Sequence, residues 1–179
     1  MDTYKFNFTS LELKIFQLIC TKSGEKLSQR EIAKLLNVSP TAVSNSIKKL
    51  VENRLIKLNK VKTINFISFN RDEKRAVDLK RVENLRSIYI SGLLNYLEEL
   101  LPGGTIILFG SYSRGEDTNT SDIDLAAIGR KYKSIDLKKF EKLLNRKINL
   151  YFYDSWKKMQ ENLKNNILNG ILLSGGVEL

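Results

Sequence analysis

A chain of 179 residues with no histidine and one cysteine, Cys20, cannot build Ser-His-Asp or Cys-His nucleophilic machinery, a common zinc site or an intrachain disulfide. Hydrophobic residues at 42% and charged residues at 28% describe a globular chain, and no run reaches the roughly 20 apolar residues of a membrane span. The formal charge of +10 is uneven: residues 1–70 hold 12 Lys and Arg against 5 Asp and Glu, net +7, whereas residues 71–179 hold 18 against 15, net +3. The first segment is therefore the one suited to a polyanion.

Met1-Asp2-Thr3-Tyr4-Lys5 does not follow the basic-then-apolar plan of a secretory leader, so a cytoplasmic location without membrane contact is expected. Leu11, Ile15, Leu18 and Ile19 recur at helical spacing over 10–22, with Cys20 as a buried thiol in the same apolar run. Ser28-Gln29-Arg30-Glu31 has the form of a capping box, and the helix it opens places Ile32, Leu35 and Leu36 on an apolar face. Asn37 ends that helix; Ser39 caps the next, with Pro40 at its first position. Val43, Ile47 and Leu50 face the core of this helix, which leaves Thr41, Ser44, Asn45, Lys48 and Lys49 for base edges and phosphates of double-stranded DNA. Two β-type runs, 55–58 and 63–69, flank Asn59-Lys60-Val61-Lys62, a hairpin tip whose Lys60 and Lys62 suit the phosphate backbone. Residues 10–69 resemble the winged helix-turn-helix domains of prokaryotic transcription regulators.

Residues 71–100 predict one or two helices with a stripe of Val77, Leu85, Ile88, Leu93 and Leu97, interrupted near Gly92. That stripe suits either a homodimer seam or packing against the chain's own second domain.

Pro102-Gly103-Gly104 ends the helical stretch, and Thr105-Ile106-Ile107-Leu108-Phe109 is a strand of the buried type. Gly110-Ser111-Tyr112-Ser113-Arg114-Gly115 follows, then a polar loop, then a second strand that opens with Ser121-Asp122-Ile123-Asp124-Leu125. Alternation along a strand points Asp122 and Asp124 to the same side, where a hard divalent ion such as Mg²⁺ would offset their repulsion. Gly110 admits a phosphate close to the backbone, the Ser111 hydroxyl can hold its oxygens, and Arg114 can neutralise its charge. Glu116 and Asp117 are expected to be solvated loop charges.

Gly110-Ser111, the ten residues 112–121 and Asp122-x-Asp124 resemble the motif of the minimal nucleotidyltransferases of the DNA polymerase beta superfamily. Asn169-Gly170-Ile171-Leu172-Leu173 is similar to that family's closing helix-Gly-strand element. The resemblance implies Mg²⁺-dependent transfer of a nucleoside monophosphate from an NTP, expected to be ATP. The acceptor would be a protein, such as a toxin encoded beside it, or a small molecule. Asp122 and Asp124 would be the catalytic metal ligands and Gly110 and Ser111 the triphosphate holders. The family's third carboxylate, on a later strand, falls at Asn149 in Lys147-Ile148-Asn149-Leu150-Tyr151-Phe152-Tyr153-Asp154. An amide coordinates a metal weakly and takes no proton at neutral pH, and Asp154 has the opposite strand parity. Two functions stay open: a DNA-binding transferase, or a transcription regulator whose transferase-like domain senses nucleotide without catalysis.

The expected architecture is α/β (α+β) with two domains. A winged helix spans 1–70, a helical connector 71–100 and a nucleotidyltransferase fold 101–179, its first helix from about 84 and its short mixed sheet flanked by helices.

Overall fold

The computed structural model describes residues 7–178, so the leader reading at Met1–Lys5 lies outside the described residues. The chain divides between Val77 and Asp78 into two compact units. No described helix is long and apolar enough to cross a membrane.

The first unit comprises α1 (Ser10–Thr21), β1 (Leu27–Ser28), α2 (Gln29–Leu36), α3 (Pro40–Glu52), β2 (Ile56–Val61) and β3 (Ile64–Phe69). Its helices begin where their caps dictate. Glu31 N–H donates to the Ser28 hydroxyl at 3.2 Å while the Glu31 carboxylate accepts Ser28 N–H at 2.7 Å. Thr9 and Glu12 build the same reciprocal pair on α1. Asn37, at φ 53°, closes α2 in the left-handed region, and the Ser39 hydroxyl accepts from Ala42 N–H with Pro40 at the first turn. Ile15, Phe16, Ile19, Ile32, Val43, Ile47, Leu50 and Ile67 are all essentially inaccessible, as is Cys20.

Three details depart from the sequence expectation. Leu35 points outward, 56% exposed, because the core side of this short helix is already filled by Ile32 and Ala33. Leu27–Ser28 forms a third strand paired with β3, too short to leave a periodic signal. The hairpin tip is Lys62-Thr63 alone: Val61 pairs with Ile64 and Lys60 with Asn65, so Lys60 stands within β2.

The second unit comprises α4 (Lys74–Ile90, its first turn lying before the division), α5 (Leu93–Leu100), β4 (Thr105–Phe109), α6 (Gly110–Arg114), β5 (Ile123–Ile128), α7 (Lys138–Leu144), β6 (Ile148–Tyr153), α8 (Glu161–Leu168) and β7 (Ile171–Ser174). The sheet order is β6-β5-β4-β7, with β5 and β6 parallel and the other pairs antiparallel. This is the expected mixed sheet. One face, with Leu108, Ile123 and Leu125, buries Ile88 of α4, Leu93 and Leu97 of α5 and Phe140 of α7. The other, with Ile107, Phe109, Ala126 and Ile128, packs on Trp156 and on Ile167 of α8. From Asp78 onward the stretch expected to be a connector is thus a wall of the second unit's own core. Gly170 follows α8 where only glycine fits, since a Cβ there would run into the Leu108 carbonyl.

Candidate active site and nucleic-acid face

Antiparallel β4 and β5 place Phe109 opposite Asp124, so the chain leaves β4 into α6 beside the carboxylates that begin β5. Gly110 stands at that exit with φ 74°, and a Cβ on it would lie 2.6 Å from Asp124 Oδ2. Glycine is required twice over, by the backbone angle and by the approach of the carboxylate. Parallel β6 then sets Asn149 directly beside Asp124. The Asn149 amide donates to Asp122 Oδ2 and to Asp124 Oδ1, both at 3.1 Å. The two carboxylates share one side of the sheet, as strand alternation requires, and one amide spans them.

Among the described residues no group of three or more His, Cys, Asp or Glu side chains is gathered for a metal. Asp122 and Asp124 are a donor pair of the kind that holds Mg²⁺ together with substrate phosphates, rather than a closed protein cage. Gly110 sets no side chain against that pair, and the Asp124 carboxylate closes onto its Cα side, where a Cβ would stand. On these donors a divalent cation fits.

Tyr151 is a neighbour that the motif did not reveal. It lies two residues beyond Asn149, hence on the same side of β6, and its ring packs against Phe109 with centroids 5.8 Å apart. Partial burial, then the negative charges of Asp124 and Asp122, push its phenol above the ordinary value. The i, i+2 spacing from Asn149 was the available signal.

The remaining predicted residues are placed as follows. Ser111 is in the first turn of α6. Arg114, at its end, pairs with Glu116 at 2.8 Å on the surface. Asp154 is exposed and pairs with Lys158. Asp117 contradicts the expectation of a solvated charge: it is 1% exposed and ion-paired with Lys80. Burial of that carboxylate is tolerated because a cation and an amide reach it from α4.

On the first unit, Thr41, Asn45 and Lys48 are exposed along α3, and Ser44 is half-buried. Ser44 and Lys48 line an open groove with Leu58 and Asn65 of the hairpin. Lys60 and Lys62 are exposed on the wing. Lys49 is half-buried. Its ammonium donates to the Asn7 carbonyl, stands 3.9 Å from Glu12 and lies over the Phe8 ring, so it is committed to the start of α1.

The nucleotidyltransferase-domain family profile matches residues 90–173, and the winged helix-turn-helix DNA-binding profile matches residues 9–57. The chain is a winged helix-turn-helix domain fused to a nucleotidyltransferase domain. No curated protein matches the fusion. Among solved structures, a mutant of ZitR from Lactococcus lactis is 21% identical, with a TM-score of 0.41, over 56% of this chain and 66% of that one. AdcR from Streptococcus pyogenes is 19% identical, with a TM-score of 0.41, over 54% and 69%. The S. aureus MepR-DNA complex is 19% identical, with a TM-score of 0.40, over 54% and 81%. The fusion thus spans just under two thirds of the ZitR chain's length, and likeness at this level assigns no ligand to it.

Proposed function

We propose that the protein binds duplex DNA through α3 and the wing and uses its second unit to transfer a nucleoside monophosphate from an NTP, with ATP the expected donor, to a protein or small-molecule acceptor. The observation that carries this is the convergence of Asp122, Asp124 and a Cβ-free Gly110 at the end of β4. Gly110 and Ser111 would hold the triphosphate while Asp122 and Asp124 hold Mg²⁺. When bound, the cation would neutralise charge on the triphosphate and on the departing pyrophosphate. In the transfer a deprotonated acceptor oxygen, its proton already lost to solvent, bonds to the α-phosphorus, the bond from that phosphorus to the bridging oxygen breaks, and pyrophosphate leaves. On the DNA side, Thr41, Ser44 and Asn45 would meet base edges, and Lys48, Lys60 and Lys62 phosphates.

Asn149 supports a second reading, in which the domain senses nucleotide and catalyses nothing. Its amide is spent on both carboxylates, and it cannot take a proton from an acceptor. A general base contributes roughly 100- to 10,000-fold, so a transferase without one would favour an acceptor that is acidic or already deprotonated. Incubation with each α-labelled NTP, Mg²⁺ and the products of neighbouring genes separates the two readings. Labelled product that increases in Asn149→Asp supports transfer; no product from either protein supports the sensor.

A further inference from the structure

We infer that Lys80, Asn84, Asp117 and Arg146 form a buried positioning cluster that fixes the segment between Ser111 and Asp122, an inference that rests on the nucleotide-site proposal above for its functional consequence. Lys80 is 0% exposed, Asp117 1%, Arg146 6% and Asn84 7%. Lys80 donates to the Asp117 carboxylate, to the Asp117 carbonyl at 2.6 Å and to the Gly115 carbonyl at 3.3 Å, which employs all three of its donors. Asn84 donates to the Tyr112 carbonyl at 2.9 Å and to the same Asp117 carboxylate oxygen at 2.7 Å. Two side chains of α4 therefore hold the carbonyls at residues 112, 115 and 117, where the five-residue α6 ends.

Arg146 approaches the other Asp117 oxygen at 3.8 Å from just ahead of β6, three residues before Asn149. One carboxylate thus ties the turn that follows β4 to the start of the strand bearing Asn149. A buried charge cluster is a weak source of net stability, because apolar residues of similar volume often serve as well or better. What this cluster provides that an apolar plug would not is a fixed set of directional bonds onto the motif loop. Lys80 and Asn84 also lie upstream of residues 90–173, outside the part of the chain that matches the nucleotidyltransferase profile. They are positioning residues, acting through the loop rather than on substrate.

The test compares the full-length wild type with Asn84→Ala and with the charge-free triple variant Lys80→Met, Asp117→Leu, Arg146→Met. The readouts are the thermal midpoint, amide hydrogen exchange of residues 112–121 and titration with Mg²⁺-ATP. The triple variant is expected to keep a midpoint near that of the wild type. Its loop exchange should rise, and its Mg²⁺-ATP affinity fall, each on the order of tenfold. Asn84→Ala leaves every charge paired and should show the same local loosening even where the triple variant fails to fold. Unchanged exchange at 112–121 in Asn84→Ala, or a folded triple variant with wild-type exchange and affinity, overturns the inference. A wild type that binds no Mg²⁺-ATP overturns the nucleotide-site proposal instead, while the exchange comparison still decides the cluster.

Discussion

Gly110→Ala is the substitution whose effect can be worked out most fully, because the same fold supplies its control. Gly92 and Gly110 share φ 74°, but a Cβ on Gly92 meets nothing within 4 Å, whereas on Gly110 it falls 2.6 Å from Asp124 Oδ2. Alanine in the left-handed region costs about 1–2 kcal/mol, so Gly92→Ala should lose that much and no more. For a unit of about 100 residues this is a fall of roughly 4–8 °C per kcal/mol in thermal midpoint. Gly110→Ala carries the same backbone cost, and an ordinary contact of 3.4 Å would require the Asp124 carboxylate to withdraw by about 0.8 Å. That movement strains the 3.1 Å bond from Asn149 and changes the spacing of the carboxylate pair. Weakening a contact to a charged group costs about 1.5–3 kcal/mol, so Mg²⁺-ATP affinity should fall on the order of tenfold or more in Gly110→Ala and stay unchanged in Gly92→Ala. Thermal melts paired with calorimetric titration read both effects. Equal affinity in the two variants, or a wild-type affinity in Gly110→Ala, refutes the placement of the nucleotide against Asp124.

Two further outcomes are expected in the winged helix. Replacing Lys48, Lys60 and Lys62 by Ala should reduce the slope of log affinity against log salt for duplex DNA by about 2.7, at roughly 0.9 per phosphate contact. Lys49→Ala, which loosens the start of α1 instead, should leave the slope alone; fluorescence anisotropy across a salt series distinguishes them. The Ser28 hydroxyl and then its backbone N–H hold the Glu31 carboxyl below its ordinary value of 4.5. Its stabilising contribution is therefore complete above that value and is lost as pH falls through the lower folded-state one. Glu31→Gln keeps the cap without the titration, so the stability difference from wild type should be flat above about pH 5 and shrink below about 4.5 in chemical denaturation.

Local signals made much of the fold legible. Caps at Ser28 and Ser39, the Asn37-to-Pro40 break and the apolar strands flanking the Gly-Ser turn each depend on neighbours within a few residues, and each stands where its chemistry puts it. The carboxylate pair was legible for a related reason, since strand parity fixes sides; Asn149 was legible only through the family resemblance, and the parallel pairing of β6 with β5 sets it beside Asp124. The buried polar cluster was not. The inward stripe of α4 runs Ala76, Lys80, Asn84, Ile88, half of it polar, so an apolar template slides to the wrong register and takes in Val77 and Leu85. Asp117 follows a surface Glu116 and is recognisable as buried only once Lys80, 37 residues earlier, is beside it. The contacts of Lys49 were not legible because helical spacing gives its azimuth but not the arrival of Asn7, Phe8 and Glu12 at its ammonium.

Calorimetric titration of Mg²⁺-ATP into the wild type and into the double variant Asp122→Ala with Asp124→Ala tests the proposed site most directly. Both variant positions are partly exposed and join no apolar cluster, so the fold should survive and the comparison should report binding alone. The expected result is saturable, Mg²⁺-dependent binding by the wild type and its loss in the variant. Equal ATP affinity in the two proteins, with or without Mg²⁺, would contradict the assignment of Asp122 and Asp124 as the metal-binding pair of a nucleotidyltransferase site.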